Sequence, residues 1–139
     1  METTHNQIAE KRKVVLSTMW IFVLINMIYA DILGMMKPGY LENLDLLSKS
    51  LSGEMVLGFS VLMEIPILMV LLSRFLDRKW NRIVNIIGAA ISILWVIVPS
   101  FVSSLGTTPL SYVFFAMVET AAMLFIIRYA YQWPDVNKV

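Results

Sequence analysis

The chain has 139 residues, 58% of them hydrophobic and only 15% charged, with a formal net charge of +1. A soluble domain carries about a quarter charged residues, so this composition points to lipid as the solvent, and the small net charge excludes a nucleic-acid binder because no basic face is left to neutralise phosphates. With no cysteine and a single histidine, His5, the residues for disulfides, iron–sulfur clusters, thiolate zinc sites, bis-histidine haem and histidine–carboxylate di-iron sites are missing, and no cofactor or metal is expected.

In chain order, a polar segment over 1–13 ends in Lys11, Arg12 and Lys13 and leads into an apolar run over 14–36. That run is too long for a signal-peptide core, and Ile28-Tyr29-Ala30 is a poor cleavage site, so it is read as a true span. Lys37-Pro38-Gly39 then signals a turn. After it Leu41, Leu44, Leu47 and Leu51 recur at helical spacing, opposite Glu42, Asp45, Lys49 and Ser52. This pattern predicts a short amphipathic helix on the outer membrane surface, a connector that lies where a lid would lie.

A second apolar run covers 55–73 and a third 83–102, separated by a basic loop with Arg74, Arg78, Lys79 and Arg82. An uncharged loop over 103–108 follows, and Thr108-Pro109 makes a good helix start for the last run, 110–131. Each run approaches the length of about 20 residues that crosses a bilayer as a helix. None alternates with period two, which argues against a barrel. The expected fold is all-α, a single membrane domain of four transmembrane helices with the short amphipathic helix between the first two.

Lys11, Arg12, Lys13, Arg74, Arg78, Lys79, Arg82, Arg128 and Lys138 fall on one side of this layout, against Lys37 and Lys49 on the other. By the positive-inside rule both termini are cytoplasmic, in a bacterial plasma membrane. Trp80, Tyr129, Tyr131 and Trp133 are expected as anchors at the inner interface, and Tyr40, Phe101 and Tyr112 near the outer one.

Glu64 and Glu119 sit near the middle of the second and fourth runs. An ionisable group at such depth costs several kcal/mol unless it is compensated, and it marks function by default. Glu64 precedes Arg74, and Glu119 precedes Arg128, by about 13–15 Å of helix, so the two acids lie at similar depth, each out of reach of its own arginine. No other basic residue lies in the core. The pair is therefore either protonated and hydrogen-bonded, sharing one proton, or holding a cation or an amine.

Ser60 shares the face of Glu64, and Pro66 two residues on removes the helical donor to the Leu62 carbonyl. Tyr112, Phe115, Ala116, Ala122, Met123 and Ile126 share the face of Glu119. Asn26, midway along the first span, is a hydrogen-bond partner for a carboxyl group. Asp31, nearer the outer end with Tyr29 beside it, is a third acid. On the third span Asn85, Gly88, Ala89, Ser92, Trp95, Val96 and Pro99 form a stripe of small residues suited to close helix packing, with Asn85 and Trp95 as possible cavity-lining members. A faint echo, Met63-Glu64 before Ser73-Arg74 and Val118-Glu119 before Ile127-Arg128, hints that the two glutamates face each other.

The segments Leu16-Ser17-Thr18-Met19-Trp20-Ile21-Phe22, Tyr29-Ala30-Asp31-Ile32-Leu33, Met63-Glu64-Ile65-Pro66 and Asn81-Arg82-Ile83-Val84-Asn85-Ile86 together resemble a family of small bacterial four-helix membrane proteins of unknown function, DoxX-like in size and layout. The resemblance covers nearly the whole chain. It implies fold and location, and transfers no catalytic motif.

Three functions compete. The preferred one is a non-catalytic binding or transport bundle in which Glu64 and Glu119, helped by Asn26, hold a proton and a small apolar or cationic molecule at the midplane. Glu64→Gln is then expected to abolish binding. The second is an accessory subunit or homo-oligomer that docks through the face carrying Gly88 and Ser92. The third is a lipid isomerase using one carboxyl as acid and another as base, like sterol isomerases of the emopamil-binding type, although no intramembrane histidine is present.

Overall fold

The computed structural model describes residues 2–102 and 110–133, with side chains for all of these except 2–5, 47 and 98–102. The helices are α1 Glu2–Met35, α2 Tyr40–Ser50, α3 Gly53–Phe75, α4 Arg78–Val102 and α5 Leu110–Tyr131. Four of them, all but α2, are long and apolar enough to cross a membrane, so the chain is a multi-pass membrane protein. The expected loop over 103–108, the Thr108-Pro109 start and Lys138 lie outside the described residues, as do the side chains of His5, Leu47, Pro99 and Phe101.

The polar residues ahead of the first apolar run are helical as well, since α1 begins at Glu2. Its 34 residues rise about 51 Å, well beyond a hydrocarbon core of about 30 Å, so its first turns stand outside the lipid. Hydropathy marks only the apolar part of such a helix. The polar turns are held by contacts with the end of α5: Arg12 Nη1 donates to the Tyr129 carbonyl at 2.8 Å, and its guanidinium lies 4.6 Å from the centre of the Tyr129 ring. The last carbonyls of a helix have no partner within it, so this arginine also caps α5.

The four spans form a ring in which α1 packs on α3 and α5, and α4 packs on the same two. α3 and α5 therefore stand at opposite corners. At the turn just before α2, Gly39 takes φ 76, a left-handed conformation that glycine adopts freely. The helix is exposed along most of its length, as an amphipathic helix resting on a membrane surface would be. Tyr40, at its start, lies against Gly34, where an added Cβ would come 3.4 Å from the Tyr40 ring.

Apolar burial does not drive helices together when lipid is as apolar as their side chains; packing and interhelical hydrogen bonds do. Both are concentrated at the end of the bundle that carries the arginines. Trp20 Nε1 of α1 donates to Asn85 Oδ1 of α4 at 2.7 Å, and Ser73 Oγ of α3 donates to the same oxygen at 3.1 Å. The Asn85 amide nitrogen in turn donates to the Asn81 carbonyl at 2.8 Å and to Asn81 Oδ1 at 2.7 Å. Asn81 Nδ2 donates to the carbonyl of Ser73 at 2.7 Å, in the last turn of α3. Trp20, Ser73, Asn81 and Asn85 are all fully buried. Asn85 thus belongs to a satisfied structural node and not to a cavity.

The small-residue stripe of α4 packs as expected. Gly88, Ala89, Ser92 and Val96 are buried, and a Cβ on Gly88 would meet Met69 Cγ at 3.1 Å. The face carrying Gly88 and Ser92 is consequently turned into the bundle, against Met69 of α3. Of the expected interface aromatics, Trp80 and Tyr131 are exposed, whereas Trp133 is buried and Tyr129 is engaged by Arg12.

Replacing Asn85 by leucine leaves the indole and hydroxyl donors without an acceptor. Interhelical bonds in membranes contribute on the order of 1 kcal/mol each, so Asn85→Leu is expected to destabilise the bundle by about 1–3 kcal/mol in reversible unfolding from mixed micelles. Unchanged stability would show that the node does not hold the helices together.

Candidate functional site

Toward the end where α1 finishes and α5 begins, the four spans part around a partly open cavity of about 90 Å³. α5 supplies Tyr112, Phe115, Ala116 and Glu119, whose spacing puts them on one helix face. That face continues inward as Ala122, Met123, Ile126 and Ala130, which are buried in the core. α1 supplies Met27, Ala30 and Asp31, α3 supplies Met63, and α4 supplies Trp95 and Val96. The ring of Trp95 also packs on Phe59 of α3, with centroids 5.5 Å apart.

Glu119 is 4% exposed, and its Oε1 has no hydrogen-bond partner among the described residues. A buried carboxylate oxygen without a partner costs more than an ordinary unsatisfied polar group, because the charged form loses its whole solvation shell. Asp31 lines the same cavity and is half-buried. No lysine or arginine lines it. Two acids, a phenol and aromatic rings surround a space that therefore favours a positive charge.

Size and ligand number narrow the occupant. Among the described residues no group of three or more His, Cys, Asp or Glu side chains could hold a metal ion, and two carboxylates are few for the hydration shell of a divalent cation. A cavity of about 150 Å³ accepts benzene, so this smaller one takes a cluster of waters or a molecule of a few heavy atoms.

Of the acids and neighbours singled out in the sequence, Glu119, Asp31, Trp95 and Tyr112 meet here. Glu64, Asn26, Tyr29 and Ser60 are not among the lining residues. Glu64 is exposed on the outside of α3. The buried face of that helix is Pro66, Met69 and Ser73, and Glu64 precedes Ser73 by nine residues, about two and a half turns, which is the opposite side. The expected Glu64–Glu119 pair is thus not formed. The internal echo in sequence hinted that the two glutamates face each other, and the outward rotation of Glu64 does not follow it. Asn26 donates to the carbonyl of Phe22 in its own helix at 2.8 Å, Ser60 donates to Val56 at 3.0 Å, and Tyr29 is exposed. α3 runs unbroken through Pro66 on its inward side.

Sequence reasoning passed over Met27, Ala30 and Met63. Met27 precedes Asp31 by four residues and Ala30 by three, so Met27 was findable as a neighbour of both on α1. Ala30 adjoins Asp31 directly.

The fold and the cavity define a class: a small four-span membrane bundle with one buried, unpartnered carboxyl group. The sequence profile of a family of unknown function (DUF6326) matches residues 5–138, and the chain belongs to that family. No curated protein and no solved structure matches it.

Structural and functional roles of Glu119 make opposite stability predictions. Glu119→Met keeps the bulk and removes the orphaned oxygen, so the ligand-free bundle is expected to gain about 1–2 kcal/mol in the same unfolding assay. A loss as large as that of Asn85→Leu would mean that Glu119 ties helices together.

Proposed function

We propose that the protein binds a small monovalent cation between Glu119 and Asp31, and carries it across the membrane in exchange for protons on the same two carboxyls. The occupant is an alkylammonium of a few heavy atoms. The observation that carries this reading is Glu119, which lines the cavity and whose buried Oε1 has no partner among the described residues. An ammonium group would donate to that oxygen and to Asp31, while its alkyl part rests against Trp95 and Phe115. An intramembrane acid at a helix interface marks a substrate or proton route more often than simple packing.

The end carrying Arg12, Arg78, Arg82 and Arg128 is assigned to the cytoplasm by the positive-inside rule, in a bacterial plasma membrane. The cavity, lined near the end of α1 and the start of α5, then lies toward the outer half of the bundle.

Purified protein titrated calorimetrically with methylammonium or ethylammonium chloride is expected to bind and release protons into the buffer. Binding should weaken at acid pH, where protons compete for the carboxyls. Glu119→Gln is expected to abolish it, Asp31→Asn to weaken it at least about tenfold, equivalent to about 1.4 kcal/mol, and Glu64→Gln to leave it unchanged. In liposomes, an ammonium gradient should drive a proton counterflow that Glu119→Gln removes. Identical titrations for wild type, Glu119→Gln and Asp31→Asn would refute the proposal.

A further inference from the structure

Glu64 is a carboxyl group on the outside of a membrane helix. It is the only ionisable side chain exposed near the middle of a span among the described residues. The outward faces of α1, α4 and α5 at comparable depth carry apolar side chains such as Ile25, Ile28, Ile87, Leu94, Met117 and Leu124. Those faces suit lipid. Glu64 does not, since a carboxyl group in hydrocarbon costs several kcal/mol and has no water to bond. No hydrogen bond or ion pair reaches its carboxyl from the described residues of its own chain.

The surroundings of Glu64 form a seam. Leu57, Val61, Leu68, Leu71 and Phe75 are all exposed, Leu57 by 66% and Phe75 by 80%. With Glu64 they recur at alternating steps of four and three residues, the heptad spacing of helices that supercoil about each other. α3 is also the least buried of the four spans. A single polar residue within an apolar heptad seam fixes register and partner number at some cost in stability. In lipid a polar side chain at a helix contact contributes directly to association.

We propose that α3 is the contact surface for a second copy of this chain, packed in parallel along Leu57, Val61, Glu64, Leu68, Leu71 and Phe75. Two copies inserted in the same direction are related by a two-fold axis along the membrane normal, which sets like-numbered residues opposite each other at equal depth. Glu64 then meets Glu64 of the second copy. Two carboxyls at one site hydrogen-bond when they share a proton, so each copy supplies what the other lacks. A basic partner protein is the alternative occupant, and the experiment below separates the two. This surface lies opposite the buried face of α3, and none of its residues lines the cavity, so it is separate from the cation site.

The absence of native cysteine makes crosslinking clean. Val61→Cys and Leu68→Cys, oxidised in native membranes, are expected to give a disulfide-linked species of twice the chain mass, while the exposed control Leu124→Cys on α5 gives none. Glu64→Ala on the Leu68→Cys background should reduce the linked fraction at least fivefold, and Glu64→Gln, which still hydrogen-bonds, should retain most of it. Three results overturn the proposal: seam crosslinking no greater than at Leu124, crosslinking to a species of another mass in place of the doubled one, or an undiminished dimer in Glu64→Ala. Methylammonium titration of the same variants, unchanged from wild type, shows that the bundle is folded.

Discussion

The hydrogen bonds on the Asn85 side chain set the geometry on which everything else depends. They join α1 through Trp20, α3 through Ser73 and the two turns of α4 that contain Asn81 and Asn85. In water, apolar burial would rotate each helix into place. In lipid that force is absent, and polar contacts together with close-packed small residues decide which face turns inward. Ser73 inward means Met69 and Pro66 inward, because they share its face. It also means Glu64 outward, half a turn out of phase. One contact thus accounts for the absence of Glu64 from the cavity and for its presence on the exposed seam.

The two ends of the bundle differ in how their polar groups are treated. At the arginine-bearing end each buried amide or hydroxyl of the node is bonded, and Arg12 caps the last turn of α5. At the other end the helices part, and a buried carboxylate oxygen is left unbonded beside a second acid. A satisfied polar network makes a rigid anchor, and an unsatisfied one is costly. The bundle is thus locked at one end and parted around a cavity at the other.

The spans, the amphipathic connector and the face of α5 were legible in the sequence. Run length and hydropathy pick out the four long helices, though not where α1 starts, and the alternation of leucines with charges locates α2. The rotation of α3 was not legible from depth counting, which fixes height along a helix and says nothing of azimuth. A signal did exist. The face opposite Glu64 carries Pro66, Met69 and Ser73, while the Glu64 face carries bulky leucines suited to lipid or to a second helix. The helical start of α1 at Glu2 was hidden because polar turns have no hydropathy signature, and Asp31 was named as a third acid without being joined to Glu119, because sequence spacing does not relate two different helices.

The rotation of α3 is the central claim, and engineered disulfides test it directly. A Cβ at Gly88 would lie 3.1 Å from Cγ of Met69, where a cysteine sulfur at 69 would sit. Neighbouring Leu68 is exposed instead. The geometry therefore favours a bond within one chain for Met69→Cys paired with Gly88→Cys, and none for Leu68→Cys paired with Gly88→Cys. Read by intramolecular crosslinking in membranes, the first pair should close and the second stay open. Closure of the Leu68 pair, with the Met69 pair open, would turn Glu64 toward the bundle and contradict the account.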